Sequence, residues 1–407
     1  MVKHLKLFKY LRFLFKCKLV FKNPKKKDLL VFDDESYLQI KDLVKKYDHE
    51  VLIVRKENLD TVCISLKIIL LTFYYYRGNL FTSYIISLIV LSKPKIVFTF
   101  IDNSFKFSEI AKSFKKIDKK IKFIALQNGT RYEPLEYTYL YKKGFSKINI
   151  NNNFYLPLLL SFGLYEKDLY KKSKINVLNV IPVGNIRLES YILHKKKVKM
   201  NLKKKRQICL LSEHDNWHKE VELKNKSFTK NFYKVFNFTL RYALEEKIKI
   251  IICSKRYGVE NRNDFSSLYY KEKKAYEDYV DDQYKIFLRK NLVKRNRDKF
   301  QTYKYMDESS IVVGSMSTLL RENLVLKNKI FACNTSKNNI YDFPLKEFFT
   351  ANDVNYVTFK KKMSFLLNMS KNDFYNKIDH KINYLMINEK STTKLIQLIL
   401  DSELRST

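Results

Sequence analysis

Ser309-Ser310-Ile311-Val312-Val313-Gly314-Ser315-Met316-Ser317-Thr318-Leu319-Leu320-Arg321-Glu322 reads as a β-strand that breaks at a glycine and reopens as a helix. Small hydroxyl residues stand at the helix mouth, where backbone N–H groups lack intrahelical partners and the helix dipole is positive. Such a mouth suits a phosphate. The following Asn323 to Asn334 segment, with the apolar run Ile330-Phe331-Ala332-Cys333, completes a strand–helix–strand unit. A nucleotide would rest at the carboxyl end of such a parallel sheet.

Working outward, the same alternation fills the chain. In the first half, strands are expected at Asp28–Phe32, Val51–Val54, Lys95–Phe100, Lys122–Gln127, Leu156–Phe162 and Val177–Val183. Helices are expected at Tyr37–Tyr47 and Phe107–Lys116. In the second half the expected strands are Gln207–Ser212, Lys249–Ser254, Ile311–Val313, Lys329–Cys333 and Tyr356–Phe359. The helices are Asn225–Lys247, Tyr269–Tyr279 and most of Lys371–Leu400. Short apolar runs separated by helices imply parallel sheets covered on both faces. The lysine-rich stretch 194–206 has no apolar period and reads as a linker. The expected organisation is therefore a basic amphipathic segment 1–27, a Rossmann-like domain 28–193, the linker, a second Rossmann-like domain 207–370, and C-terminal helices 371–407.

The 407 residues suit two cores rather than one, and a 45% hydrophobic content can fill them. A formal net charge of +37 points to an anionic partner. Lysine, asparagine and isoleucine are abundant, as in an AT-rich genome, and no arginine-rich face or RNA-binding motif is present. Nucleic acid is accordingly not the expected partner. The five cysteines (Cys17, Cys63, Cys209, Cys253, Cys333) form no CxxC pair, and no histidine spacing suggests zinc. Buried free thiols in a reducing cytoplasm fit best. Metal ligands are not expected: Asp33-Asp34 and Asp281-Asp282 have no supporting pattern. Within the N-terminal segment Leu7, Leu11, Leu14 and Phe15 would share one helix face, with lysines elsewhere. That face suits either an anionic membrane surface or the body of the first domain. Cys63 to Leu91 is the most apolar stretch, interrupted by Lys67 and Arg77-Gly78-Asn79. It reads as two buried helices, each too short to span a bilayer.

Four loops after expected strands carry the polar residues. Gln127-Asn128-Gly129-Thr130-Arg131 offers an amide, a hydroxyl and a guanidinium to a substrate, or simply makes a tight turn. Val183-Gly184-Asn185-Ile186-Arg187 is a second such turn. Ser212-Glu213-His214-Asp215-Asn216-Trp217-His218 places acid–base groups together. Ser254-Lys255-Arg256 puts two cations at a sheet edge, matched to a diphosphate. Glu322, seven residues after Ser315, falls on the helix face that would reach both ribose hydroxyls. Candidates for the base that deprotonates an acceptor hydroxyl are Asp102, Glu213 and His214.

The set Ala125-Leu126-Gln127-Asn128-Gly129-Thr130-Arg131, Ser161-Phe162-Gly163-Leu164-Tyr165-Glu166, Pro182-Val183-Gly184-Asn185-Ile186-Arg187 and Gly314 to Glu322, with Lys329-Ile330, resembles the bacterial surface-carbohydrate biosynthesis proteins. These are GT-B-type glycosyltransferases. A more distant similarity is to the CDP-glycerol glycerophosphotransferases of wall teichoic acid synthesis. That group has histidine where Asn128 stands, and His-Pro where Lys255-Arg256 stands, and Asn128 cannot serve as a base. The resemblance implies two Rossmann-like domains facing across a cleft. The donor side would comprise Lys255, Arg256, Gly314, Ser315, Ser317, Thr318, Arg321 and Glu322. The acceptor side would comprise Gln127 to Arg131, Asn185 and Arg187. The implied reaction is metal-independent glycosyl transfer to a surface polysaccharide or lipid-linked glycan, with the nucleotide-sugar as substrate and no cofactor. It places the protein in the cytoplasm, peripheral to an anionic inner membrane. A GT-B-like nucleotide-sugar epimerase and an inactive glycan-binding protein are the competing expectations.

Overall fold

The computed structural model describes residues 17–53, 61–131, 154–173, 175–213, 227–255, 265–293, 298–335, 342–388 and 391–406. They fall into two compact units. The described residues of the first lie within Met1–Asn128, Phe145–Gly184 and Glu389–Thr407, and those of the second within Gly129–Gly144 and Asn185–Asn388.

In the first unit the chain runs β1 (Lys18–Val20), β2 (Leu29–Asp33), α1 (Asp34–Val44), β3 (His49–Ile53), β4 (Thr61–Cys63), α2 (Leu66–Tyr74), α3 (Leu80–Ser92) and β5 (Ile96–Thr99). It continues through α4 (Phe105–Ile117), β6 (Lys122–Leu126), β7 (Tyr155–Ser161), α5 (Tyr165–Lys172) and β8 (Asn176–Pro182). Six strands form one sheet in the order β3-β2-β5-β6-β7-β8, and β1 pairs separately with β4. All these pairings are parallel. The central strands β2 and β5 are buried along their whole length, whereas the edge strand β8 leaves Leu178 exposed. This is the distribution expected when helices cover both faces. The order reverses between β2 and β5. There Asp33 caps α1, accepting from the Ser36 backbone N–H (2.7 Å), the Ser36 hydroxyl (2.8 Å) and the Thr99 hydroxyl (3.1 Å).

The second unit contains α6 (Ile186–Lys197), β9 (Lys205–Leu211), α7 (Ser227–Glu245), β10 (Lys249–Cys253), α8 (Phe265–Tyr279), α9 (Asp282–Asn291), β11 (Leu292–Val293) and α10 (Gln301–Glu308). Then come β12 (Ser309–Gly314), α11 (Thr318–Val325), β13 (Ile330–Asn334), β14 (Thr350–Asn352), α12 (Tyr356–Asn368), α13 (Lys371–Asn376) and α14 (Asp379–Leu385). The final helix, α15 (Thr392–Arg405), belongs to the first unit. Its Asp401 accepts from Lys46 and Tyr47, and its Leu404 carbonyl accepts from Lys95. The second sheet has the order β11-β10-β9-β12-β13-β14, all parallel, and reverses between β9 and β12. Cys209, Cys253 and Cys333 are buried free thiols in β9, β10 and β13.

Several expectations need correction. Tyr356–Phe359 is the first turn of α12, not a strand: Asn355 caps it by accepting from the Thr358 N–H, and Phe359, Met363 and Leu366 turn inward at helical spacing. The last strand is Thr350–Asn352 instead. The division between units falls at Gly184 and Asn185, upstream of the expected 194–206 linker, whose first residues finish α6 and whose last begin β9. Gly184 has φ +88°, a backbone that glycine tolerates. The C-terminal helices are not one appended block, since α15 returns to the first unit. Of the two helices in the Cys63–Leu91 region, α3 is buried, but α2 buries only Ile68. Leu7, Leu11, Leu14 and Phe15 lie outside the described residues, while Lys18–Val20 forms β1.

Asp307 explains why α6 joins the second unit. Its buried carboxylate accepts from Tyr191 (2.7 Å) and Lys195 (2.5 Å) of α6, and from Asn328 (2.7 Å) after α11. Removing it takes an acceptor from three donors, of which the Tyr191 hydroxyl and the Asn328 amide are on buried residues. Asp307→Ala is expected to lower unfolding free energy by about 3 kcal/mol, and Asp307→Asn by less. Urea denaturation checks this, and a loss under about 0.5 kcal/mol would be that of an ordinary surface site.

Candidate functional site

The reversal point of the second sheet brings together the ends of β9, β12 and β10. Glu213 follows β9 and is buried. Its Oε1 accepts from the Ser315 N–H (2.7 Å) and the Met316 N–H (3.1 Å), and its Oε2 from Met316 (2.9 Å). The mouth expected to seat a phosphate therefore holds a carboxylate from the neighbouring strand. Gly314 makes this possible: a Cβ there would lie 2.7 Å from Glu213 Oε1. Burial pushes the Glu213 carboxyl above its ordinary range, while the Met316 and Ser315 amides and the charge of Lys255 pull it back down.

Beneath this seat lies Glu272 of α8, fully buried. One of its oxygens accepts from the Ser212 hydroxyl (2.8 Å), the Lys255 N–H (3.0 Å) and the Tyr276 hydroxyl (2.7 Å). It thus ties the end of β9 to the end of β10. Above the seat, Ser317 caps α11 by accepting from Leu319, and Met316, Ser317 and Thr318 are half-buried. The Thr318 hydroxyl accepts from both the backbone N–H (2.9 Å) and the hydroxyl (3.2 Å) of Thr130.

Further along α11, Glu322 is buried and hydrogen-bonded at both oxygens. Oε1 accepts from Asn185 Nδ2 (2.6 Å) and Oε2 from the Tyr303 hydroxyl (2.6 Å). Burial raises its pKa, and Tyr303, the charge of Arg187 and Asn185 lower it. Asn185 also caps α6, accepting from the Arg187 and Leu188 N–H groups. Arg321 is buried and Arg187 exposed. Tyr303 stacks on Tyr191 at 4.7 Å.

The acceptor-side group divides. Gln127 is fully buried in the first unit, accepting from the Phe162 N–H (2.7 Å) and donating to Glu166 (2.9 Å), so it crosslinks β6 to the loop after β7. Asp102, after β5, is buried and accepts from the Asn128 N–H (3.2 Å). Gly129, Thr130 and Arg131, with Asn185 and Arg187, belong to the second unit, not to the first as expected. The reason is local: Thr130 binds Thr318, and Asn185 binds Glu322. Lys329, part of the motif set, is a helix cap whose ammonium donates to the Leu366, Leu367 and Met369 carbonyls at the end of α12. His214 and Arg256 lie outside the described residues. Glu272 and Tyr303 were missed by sequence reasoning. Glu272 has a faint signal, a carboxylate four residues before Tyr276 on one helix face; Tyr303 has none. Among the described residues no group of three or more His, Cys, Asp or Glu could hold a metal ion.

Solved structures share this architecture. The structure of Methanocaldococcus jannaschii UDP-GlcNAc 2-epimerase, in complex with UDP-GlcNAc and UDP, is similar at TM-score 0.54 and 12% identity, covering 91% of this chain and 98% of that one. The wall teichoic acid polymerase TagF is similar at TM-score 0.51 and 10% identity, covering 94% and 90%. The fold is of the GT-B type. At these identities the likeness is one of fold, carried by two Rossmann-like α/β units. No family model matches the sequence, and no curated protein does.

Because Glu213 has a raised folded-state pKa, its contribution to stability is present below the unfolded carboxyl value near 4.3 and is lost as pH rises through the folded value. Relative to Glu213→Gln, the native protein should lose stability as pH rises from the ordinary carboxyl range, about pH 4, towards neutrality. Paired thermal melts across that range check the sign, and a difference that grows in the opposite direction contradicts it.

Proposed function

We propose that the protein is a glycosyltransferase that moves a sugar from a nucleotide-activated donor to a surface polysaccharide or lipid-linked glycan. The observation that carries this reading is the pair of amides at Ser315 and Met316, positioned at a sheet reversal point and already holding an oxyanion. Here backbone N–H groups converge beside a cation, Lys255, whose charge acts on the seated carboxylate. In this reading the Glu213 carboxylate is a placeholder: the donor phosphate replaces it on the amides, with Lys255 and the hydroxyls of Ser317 and Thr318 completing the seat. Arg256 would add a second cation.

Departure of a nucleoside diphosphate requires its growing negative charge to be stabilised. Amides that are already oriented, a helix mouth and an ammonium supply this. Once displaced, Glu213 would be a carboxylate beside the reacting groups, placed to take the acceptor proton. Asp102 is assigned the positioning of Asn128 rather than proton transfer, since its carboxylate holds that loop. Glu322 is proposed to act on the donor through Asn185 and Tyr303, which it fixes in place. The epimerase with bound UDP-GlcNAc and UDP shares the fold, which supports a nucleotide-sugar donor. Free thiols fit a cytoplasmic setting.

Thermal-shift screening against UDP-, GDP-, CMP- and CDP-linked sugars tests the reading. A donor present at 100 times its dissociation constant stabilises by about 2.7 kcal/mol. The shift should largely vanish in Lys255→Ala and Thr318→Ala. Turnover should need an acceptor, whereas conversion of donor alone would indicate an epimerase. No stabilisation by any donor would overturn the proposal.

A further inference from the structure

Apart from Lys67 and Thr72, the nine residues of α2 are aliphatic or aromatic. Ile68, Leu71, Thr72 and Tyr75 form the stripe against α3, where Thr72 reaches Ser87 (3.3 Å) and the Tyr75 carbonyl accepts from Ser83 (3.3 Å). The opposite stripe, Leu66, Ile69, Leu70, Phe73 and Tyr74, follows the same helical spacing yet faces solvent, with Leu66 73% and Phe73 67% exposed. A helix apolar on two opposite stripes normally has both covered, by a core, a partner or lipid. Leu19 and Phe21 extend the exposed patch along β1, which pairs with β4, and the Asn23 side chain accepts from Ser65, the cap of α2.

Charge selects the partner. The patch is bordered by exposed Lys18, Lys22, Lys25, Lys26, Lys67 and Arg77. Residues 17–27 and 61–81 contain no aspartate or glutamate. Two copies of such a surface would repel each other, and a nucleic acid would find no use for its aliphatic centre. Anionic lipid headgroups match the cations, and the interfacial layer matches leucine, phenylalanine and tyrosine. At nine residues, α2 is about 13 Å long against a hydrocarbon core of about 30 Å, so it lies in the interface and does not cross it. Among the described residues no helix is long and apolar enough to span a membrane.

We propose that the outward face of α2, with the adjoining edge of β1, docks the protein onto a bilayer containing anionic phospholipid. The surface lies wholly within the first unit, and the proposal stands whether or not the nucleotide reading holds.

The test is co-sedimentation of the full chain with phosphatidylcholine vesicles, with and without phosphatidylglycerol, at low and at about 0.5 M salt, where long-range charge attraction is screened. Bulk charge alone predicts adsorption that disappears at high salt and ignores α2. Docking predicts that binding to anionic vesicles persists in part at high salt, and that Leu70→Glu with Phe73→Glu lowers the partition coefficient at least ~10-fold. Both positions are exposed, so circular dichroism and melting temperature should be unchanged. As a second readout, Phe73→Trp in a Trp217→Phe background should shift its emission to the blue on adding anionic vesicles. Equal partitioning of native and double-Glu protein overturns the proposal, as does a native dimer in light scattering that the same substitutions convert to monomer.

Discussion

A carboxylate held on two backbone amides at a sheet reversal point organises the second unit. Ser315 and Met316 present N–H groups that no strand or helix can satisfy, and Glu213 from the adjacent strand satisfies them. An unpaired buried N–H is costly, and so is a buried carboxylate. Each resolves the other. The solution constrains its surroundings: a Cβ at residue 314 would lie 2.7 Å from Glu213 Oε1, so any side chain there would push the carboxylate off its seat. The first unit reaches a related answer at its own reversal point, where Asp33 caps α1 and binds Thr99. That carboxylate comes from the capped helix's own strand. Glu213 comes from a different strand and binds amides ahead of the Ser317 cap, so its contact can exchange without unwinding α11.

Buried acidic groups frame the rest of the site. Glu272 ties the loop after β9 to the loop after β10, Asp307 fastens α6 to α10 and the turn after α11, and Glu322 links α6 to α10 through Asn185 and Tyr303. Each carboxylate accepts from several donors, as burial of charge requires. In a chain with so large an excess of lysine, much of the positive charge is on the surface, while these acids do structural duty inside. The basic face beside α2 is the exposed counterpart of that division.

The strands were legible from sequence because parallel strands covered on both faces are continuous apolar runs, and β2, β5, β6, β12 and β13 are such runs. Tyr356–Phe359 was misread because four aromatic or β-branched residues have one local pattern in a strand and in a first helical turn. Only the Asn355 cap separates them. The exposure of α2 was illegible for a deeper reason: hydrophobicity says that a face seeks apolar company, not whether this chain provides it. Within the candidate site, the strand–turn–helix at Gly314 to Thr318 and the polar loop holding Glu213 could be read. Their pairing could not, since Glu213 and Ser315 are 102 residues apart and nothing local encodes their contact. The same distance effect hid Asn185 and Tyr303 as partners of Glu322, and placed Thr130 with the second unit.

If Glu213 occupies the position a donor phosphate takes, removing it should open the seat rather than destroy it. The most direct measurement is calorimetric titration of nucleoside diphosphate into the native protein and into Glu213→Ala at the same pH and salt. The placeholder account predicts tighter binding by the variant, by roughly tenfold for each 1.4 kcal/mol of competition relieved, together with loss of transfer activity. Unchanged or weaker binding by a folded Glu213→Ala protein would contradict it.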